Sequence, residues 1–84
     1  MARVELKMPL LGYDMEAGRI AAWTRRPGDS IARGEVVAEI ETDKATVEME
    51  STVSGRLLEI VAHPGEEIAV DAVIAFVDDE ADPT

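Results

Sequence analysis

Cysteine is absent from the 84 residues, histidine occurs once (His63), and the aromatic side chains are limited to Tyr13, Trp23 and Phe76. Without cysteine there is no disulfide framework and no thiolate zinc site, and a single histidine makes a histidine-based metal centre improbable. Basic residues are scarce as well: 8 Lys and Arg stand against 18 Asp and Glu, for a formal net charge of −10. That balance argues against nucleic acid and against anionic membrane surfaces, both of which are bound through clustered Lys and Arg. No apolar run approaches the ~20 residues of a membrane-spanning helix. The opening MARVELKMPL lacks the apolar core of a secretory signal. The expectation is a cytoplasmic protein, or one of the mitochondrial matrix in a eukaryote, with no transit peptide seen.

Hydrophobic side chains make up 46% of the chain, enough for a folded core. At this length the core is thin, and a deep substrate pocket with its own catalytic constellation is not expected. One domain over residues 1–79 accounts for the patterned sequence. The remainder, 80–84, is acidic, ends in Pro-Thr and reads as the start of a linker in one module of a longer protein.

An internal repeat organises that domain. GRIAAWTRRPGDSIARGEVVAEIETD (18–43) aligns without gaps on GRLLEIVAHPGEEIAVDAVIAFVDDE (55–80) at an offset of 37, with eight identities. Average residue usage gives about two by chance over such a window. Two copies are too few for a solenoid but can pack on each other about an approximate two-fold axis. Each copy reads as β. In EVVAEIET (35–42), Val36, Ala38 and Ile40 alternate with Glu35, Glu39 and Glu41; in ATVEME (45–50), Val47 and Met49 alternate with Glu48 and Glu50. Pro27-Gly28 and Pro64-Gly65 punctuate equivalent turns, and each is followed by a short apolar stub at Ile31 or Ile68. VIAFV (73–77) is apolar at both parities, so its faces stay open. Short strands with regular turn signals predict an all-β sandwich or barrel. Trp23 and the methionines Met8, Met15 and Met49 read as packing residues. MPLLGYDM (8–15) reads as an unusually apolar loop, and His63 as a turn residue.

Between the two alternating strands lies Thr42-Asp43-Lys44-Ala45, a hairpin tip without the Asn-Gly or Asp-Gly of the favoured two-residue turns. A different turn type or some strain is expected. Nothing in such a turn requires lysine for folding; the location offers a primary amine on a stiff ribbon. The bland reading is a solvated surface lysine.

The run EIETDKAT (39–46) resembles the lipoyl-attachment motif of the acyltransferase components of 2-oxo acid dehydrogenase complexes. Gly28, Ile31, Val37, Ile40, Met49, Gly55 and Leu57 agree with the family's flanks, and the similarity runs from about Val4 to Val77. The resemblance implies a flattened β-barrel or sandwich of two antiparallel sheets with pseudo-two-fold symmetry, the biotinyl/lipoyl carrier fold. It implies lipoic acid amide-linked to Lys44, with Asp43 and Ala45 as the context that attaching enzymes expect. It implies a swinging-arm carrier rather than an enzyme, the acyltransferase active site being absent. The implied partners are a thiamine-diphosphate 2-oxo acid decarboxylase, a flavin-dependent dihydrolipoyl dehydrogenase, the acyltransferase catalytic domain and a lipoate-attaching enzyme. In this family the 8–15 loop lies beside the lysine hairpin and helps select the decarboxylase, so Leu10, Leu11, Tyr13 and Glu41 become candidate recognition residues. A biotin carrier domain, which carries Met on both sides of its lysine, is disfavoured by Asp43 and Ala45. The context of the glycine-cleavage carrier lysine also differs. An unmodified interaction module is the third reading. Among complexes, the wording looks most like pyruvate or acetoin types, with branched-chain and 2-oxoglutarate types open. Adding the repeat offset to Lys44 gives Ala81, which places the hairpin opposite the chain's exit from the fold.

Overall fold

The structure is a computed structural model that describes residues 3–10, 16–42 and 45–79. Eight strands form: β1 (Arg3–Lys7), β2 (Ala17–Trp23), β3 (Ser30–Ile31), β4 (Val36–Glu41), β5 (Thr46–Glu50), β6 (Gly55–Ile60), β7 (Glu67–Ala69) and β8 (Val73–Asp78). They make two four-stranded sheets in the orders β1-β8-β6-β3 and β5-β4-β2-β7, with antiparallel pairing throughout. No α-helix occurs among the described residues. The expected all-β architecture is present as a flattened sandwich; the sheets do not close into a barrel.

The repeat is a structural two-fold. At the offset of 37, β2, β3 and β4 correspond to β6, β7 and β8, and the irregularities correspond too. The break between Ile20 and Ala22 against β4 is matched by the break between Leu57 and Glu59 against β8. The two copies also complete each other. Gly28 N donates to Leu57 O (2.7 Å) and Gly65 N donates to Ile20 O (2.9 Å), so each Pro-Gly turn is anchored on the other copy's strand. Both glycines hold positive φ (98° and 91°), a conformation open to glycine at no steric cost.

The outer strands obey the same axis at a different offset. Leu6 faces Ala75 as Met49 faces Ala38, and Lys7 faces Val73 as Glu50 faces Val36. Here the offset is 43, six more than within the repeat, and the link from β1 to β2 (8–16) is five residues longer than the link from β5 to β6 (51–54). The longer link, residues 8–16, breaks the symmetry.

Between the sheets lies a core of Leu6, Met8, Ile20, Ile31, Val37, Ala38, Ile40, Met49, Leu57, Ala62, Ile74, Ala75 and Val77. Full burial of each large member contributes about 1.5–3 kcal/mol. Trp23 packs half-buried against it and donates from Nε1 to Ala62 O at 2.9 Å, while Met8 and Met49 fill it as expected; Met15 lies outside the described residues. One strand expectation needs correcting. Strict alternation put Val36, Ala38 and Ile40 inward, yet Val37 and Ala38 are both buried and Val36 only half so. A β-bulge between Val36 and Ala38 breaks the period and turns two consecutive residues to the core. Its mate in β8 buries Ile74 and Ala75, which explains why VIAFV showed no parity.

Strand direction places the ends. β4 runs towards the β4–β5 hairpin. The β3–β4 link (32–35) lies at β4's other end and also at the end of the first sheet where Gly55 and Asp78 lie. Thr42 and Ala45 thus sit at one end of the sandwich, and Arg3 and Asp79 at the other. Ala81 itself lies outside the described residues.

At that far end Arg25 Nη2 donates to Glu35 Oε2 at 2.7 Å, tying the 24–29 loop to the β3–β4 link. The Glu35 carboxyl is held below the usual range, first by the Arg25 hydrogen bond and then by the Ala32 N–H. Stability from Glu35 is therefore present above its unfolded pKa and is lost as pH falls through its lowered folded value. Arg25→Gln should move the Glu35 midpoint upwards in an NMR carboxyl titration. Gly55 offers a second test. A Cβ there would lie 2.9 Å from the carbonyl carbon of Asp78 and overlap its oxygen, whereas one on Gly34 meets nothing within 4 Å. Gly55→Ala should cost about 2–4 kcal/mol and Gly34→Ala about 1 kcal/mol, read by thermal denaturation.

Candidate functional site

The β4–β5 hairpin is built from the residues that alternate most regularly. Glu39 faces Glu48, Ile40 faces Val47 and Glu41 faces Thr46. Beyond Glu41 the ladder is closed by one residue pair. Thr42 N donates to Ala45 O at 2.8 Å, Thr42 Oγ1 donates to the same oxygen at 2.9 Å, and Ala45 N donates to Thr42 Oγ1 at 3.2 Å. The two residues that join them in sequence, Asp43 and Lys44, lie outside the described residues, as does the turn type expected for them.

Two further segments share this end. The 70–72 turn holds both described ends of the long loop: Met8 N donates to Ala72 O (2.9 Å), Asp71 N to Met8 O (2.9 Å) and Val70 N to Glu16 O (3.0 Å). Asp71 adopts a φ of 74° where its symmetry mate is Gly34, and short polar side chains tolerate that region better than most. Of the expected recognition residues, Leu10 is 64% exposed at this end, and Glu41 is exposed at the base of the hairpin. Leu11 and Tyr13 lie outside the described residues. Beside the hairpin a shallow concavity is lined by Ala17, Gly18, Arg19, Glu41, Thr42 and Glu67. Arg19 stands there between Glu41 and Glu67 across three strands, 4.0 Å from the Glu41 carboxylate. Both partners are exposed, so the pair adds little stability.

Charge separates the two sheets. The strands of the hairpin sheet carry Glu39, Glu41, Glu48, Glu50 and Glu67 against Arg19 alone. Those of the other sheet balance Glu5, Glu59 and Asp78 with Arg3, Lys7 and Arg56. Glu39 and Glu48 are directly opposite, an unfavourable like-charge pair. The symmetry-related pair is Phe76 and Glu5, where Arg3 stacks 4.1 Å from the Phe76 ring centre and bonds Glu59 at 2.8 Å. The glutamates were expected as strand exteriors, and Glu41, Glu48 and Glu50 are exposed; Glu39 is half-buried. Sequence reading did not find the Thr42 clasp. A threonine ending an alternating run three residues before the next strand was the available signal, since Ser and Thr hydroxyls bond to nearby backbone.

The described residues form a small β-sandwich with a clasped hairpin base at one end and a shallow, open concavity beside it. Comparison with known proteins agrees. Residues 4–77 match the biotin/lipoyl family model, described as biotin-requiring enzyme. A dihydrolipoyllysine-residue acetyltransferase component of the mitochondrial pyruvate dehydrogenase complex from Arabidopsis thaliana is 51% identical over 93% of the chain and 15% of its own length. The corresponding component from Rickettsia typhi is 39% identical over 96% of the chain and 20% of its length. The lipoyl domain of the 2-oxoglutarate dehydrogenase complex from Azotobacter vinelandii, a solution structure, is 27% identical with a TM-score of 0.71, over 89% of this chain and 95% of that one. The chain belongs to the biotin/lipoyl-attachment family and, within it, is a lipoyl carrier domain of the acyltransferase type. It spans about 15–20% of the length of these curated relatives, and it is a carrier rather than a catalytic domain.

The like-charge pair gives a direct test. Glu48→Gln should stabilise the domain by about 0.2–1 kcal/mol at low salt. In thermal denaturation the gain should fade near 1 M salt, where exposed charges are screened within ~3 Å.

Proposed function

We propose that Lys44 carries lipoic acid in amide linkage and that the domain acts as the swinging-arm carrier of a pyruvate dehydrogenase-type complex. The observation that carries this reading is the hairpin whose base is clasped by Thr42 and Ala45, in a chain with only two lysines. Lys7, the other one, belongs to β1 and faces Val73 across the sheet; Lys44 falls in the link between two antiparallel strands. An amide-linked arm fits this geometry, because it needs an amine at the end of a stiff ribbon and no cavity.

Held on Lys44, a lipoyl group would supply redox-active disulfide chemistry suited to carrying an acyl group from a 2-oxo acid decarboxylase to coenzyme A, with a flavoenzyme as its reoxidant. The chain's own residues supply presentation. The sandwich holds the ribbon rigid, and the position of Asp79 at the far end directs the hairpin away from the chain's exit. Tethering the domain raises its effective concentration at each partner, into the mM range for short flexible linkers. The absence of cysteine leaves no thiol on the chain to exchange with the disulfide. Amidation of Lys44 removes one positive charge from an end already rich in carboxylates, which favours a decarboxylase with a basic surface beside its channel.

The names of the relatives support pyruvate over other 2-oxo acids, and Asp43 and Ala45 in place of flanking methionines disfavour biotin. Intact mass after incubation with lipoate, ATP and an attaching enzyme should show one lipoyl increment, kept in Lys7→Arg and lost in Lys44→Arg. A biotinyl increment, or no increment with a competent enzyme, would overturn the reading. Reductive acetylation of the lipoylated domain should be fastest with the pyruvate decarboxylase, and its rate should fall as salt rises from 0.05 to about 0.5 M.

A further inference from the structure

We infer that Thr42 is a positioning residue for the modification of Lys44, acting through its hydroxyl. This rests on the proposal that Lys44 is the attachment point. A hairpin ladder normally ends on backbone hydrogen bonds alone. Here the backbone bond from Thr42 N to Ala45 O is doubled by two bonds of one side-chain oxygen, which donates to Ala45 O and accepts from Ala45 N. The hydroxyl therefore satisfies both backbone groups of the residue that follows Lys44. The bond from Thr42 N links one atom pair and leaves rotation about it open; the added pair through Oγ1 restrains that rotation. The residue on the other strand cannot take over, because the Ala45 side chain has no polar atom.

Symmetry supplies an internal comparison. The position equivalent to Thr42 in the second repeat is Asp79, at the far end where the chain leaves the sheet. There the equivalent of the hairpin is not a turn at all, since β8 and β1 are separate ends of the chain. Thr42 thus stands at the place where the first repeat needs a turn and the second does not. The neighbouring strand residues cannot account for the hydroxyl: Thr46, which faces Glu41, is an exposed strand position that any β-former would fill. Thr42 is half-buried and lines the shallow concavity with Gly18 and Arg19, and its side-chain oxygen bonds across the turn. An attaching enzyme that must bring one particular amine to its activated lipoate gains from a base held in one geometry, since mispositioning by even 1 Å can cost about a hundredfold in rate.

The test separates hydroxyl from methyl. Thr42→Val keeps shape and strand propensity and removes the oxygen; Thr42→Ser keeps the oxygen. With purified lipoate-attaching enzyme, kcat/KM for Thr42→Val should fall about tenfold, the change expected from losing a hydrogen-bonded clasp, and Thr42→Ser should restore it to within about twofold. The thermal midpoints of all three proteins should lie within a few degrees, because the core is untouched. Amide hydrogen exchange at Ala45 should accelerate in Thr42→Val and not in Thr42→Ser. Wild-type modification rates in Thr42→Val, equal losses in Val and Ser variants, or unchanged Ala45 exchange would each overturn the inference. Failure of the wild-type chain to take a lipoyl increment would overturn the attachment reading instead, and the exchange measurement would still decide whether the clasp operates.

Discussion

The fold depends on a reciprocal anchoring of its two halves. Gly28 of the first repeat donates to Leu57 of the second, and Gly65 of the second donates to Ile20 of the first. Ile20 and Leu57 are fully buried members of the core. The turn that ends one copy's strand is thus fixed by the backbone of a core strand of the other copy. Neither repeat alone can satisfy its turns or cover its apolar face, which is why an 84-residue chain with a thin core folds around a duplicated unit. Everything functional is placed by this arrangement: it fixes the sandwich, the sandwich fixes β4 and β5, and those two strands end in the clasped hairpin.

Departures from the two-fold gather at the hairpin end and on the hairpin sheet. The 8–16 loop, five residues longer than its counterpart, is anchored at Met8 and Glu16 on the 70–72 turn, on the same end as the hairpin. Among the strand residues the acidic excess lies on the sheet that contains the hairpin, although its symmetry mate shows that the same backbone accepts balanced charge and an aromatic side chain at equivalent places. Repulsion between Glu39 and Glu48 is thus a property of these side chains rather than of the architecture.

Much of this was legible in the sequence. The offset of 37, the Pro-Gly turns, the role of Trp23 and the hairpin position follow from repetition and period-two alternation, which report directly on strand faces. The bulges did not follow, because Val36, Val37 and Ala38 are all apolar and a one-residue slip leaves no trace in such a run. Nor did the division of charge between sheets, which requires knowing that β5 and β7 flank the same pair of strands. The clasp was hidden for a different reason: threonine is an ordinary strand residue, and only the geometry reveals a hydroxyl turned along the chain to Ala45.

Two-fold symmetry also sets a problem of orientation. Backbone shape alone makes the two ends of the sandwich near replicas, each with paired strand termini and a flanking turn. A partner that sensed only that shape would engage the wrong end as readily as the right one. Half of such encounters would be unproductive, and their lifetime would subtract directly from turnover. The long loop, the clasped turn and the one-sided charge are features that tell the ends apart. In a duplicated fold, recognition has to be built from whatever breaks the duplication.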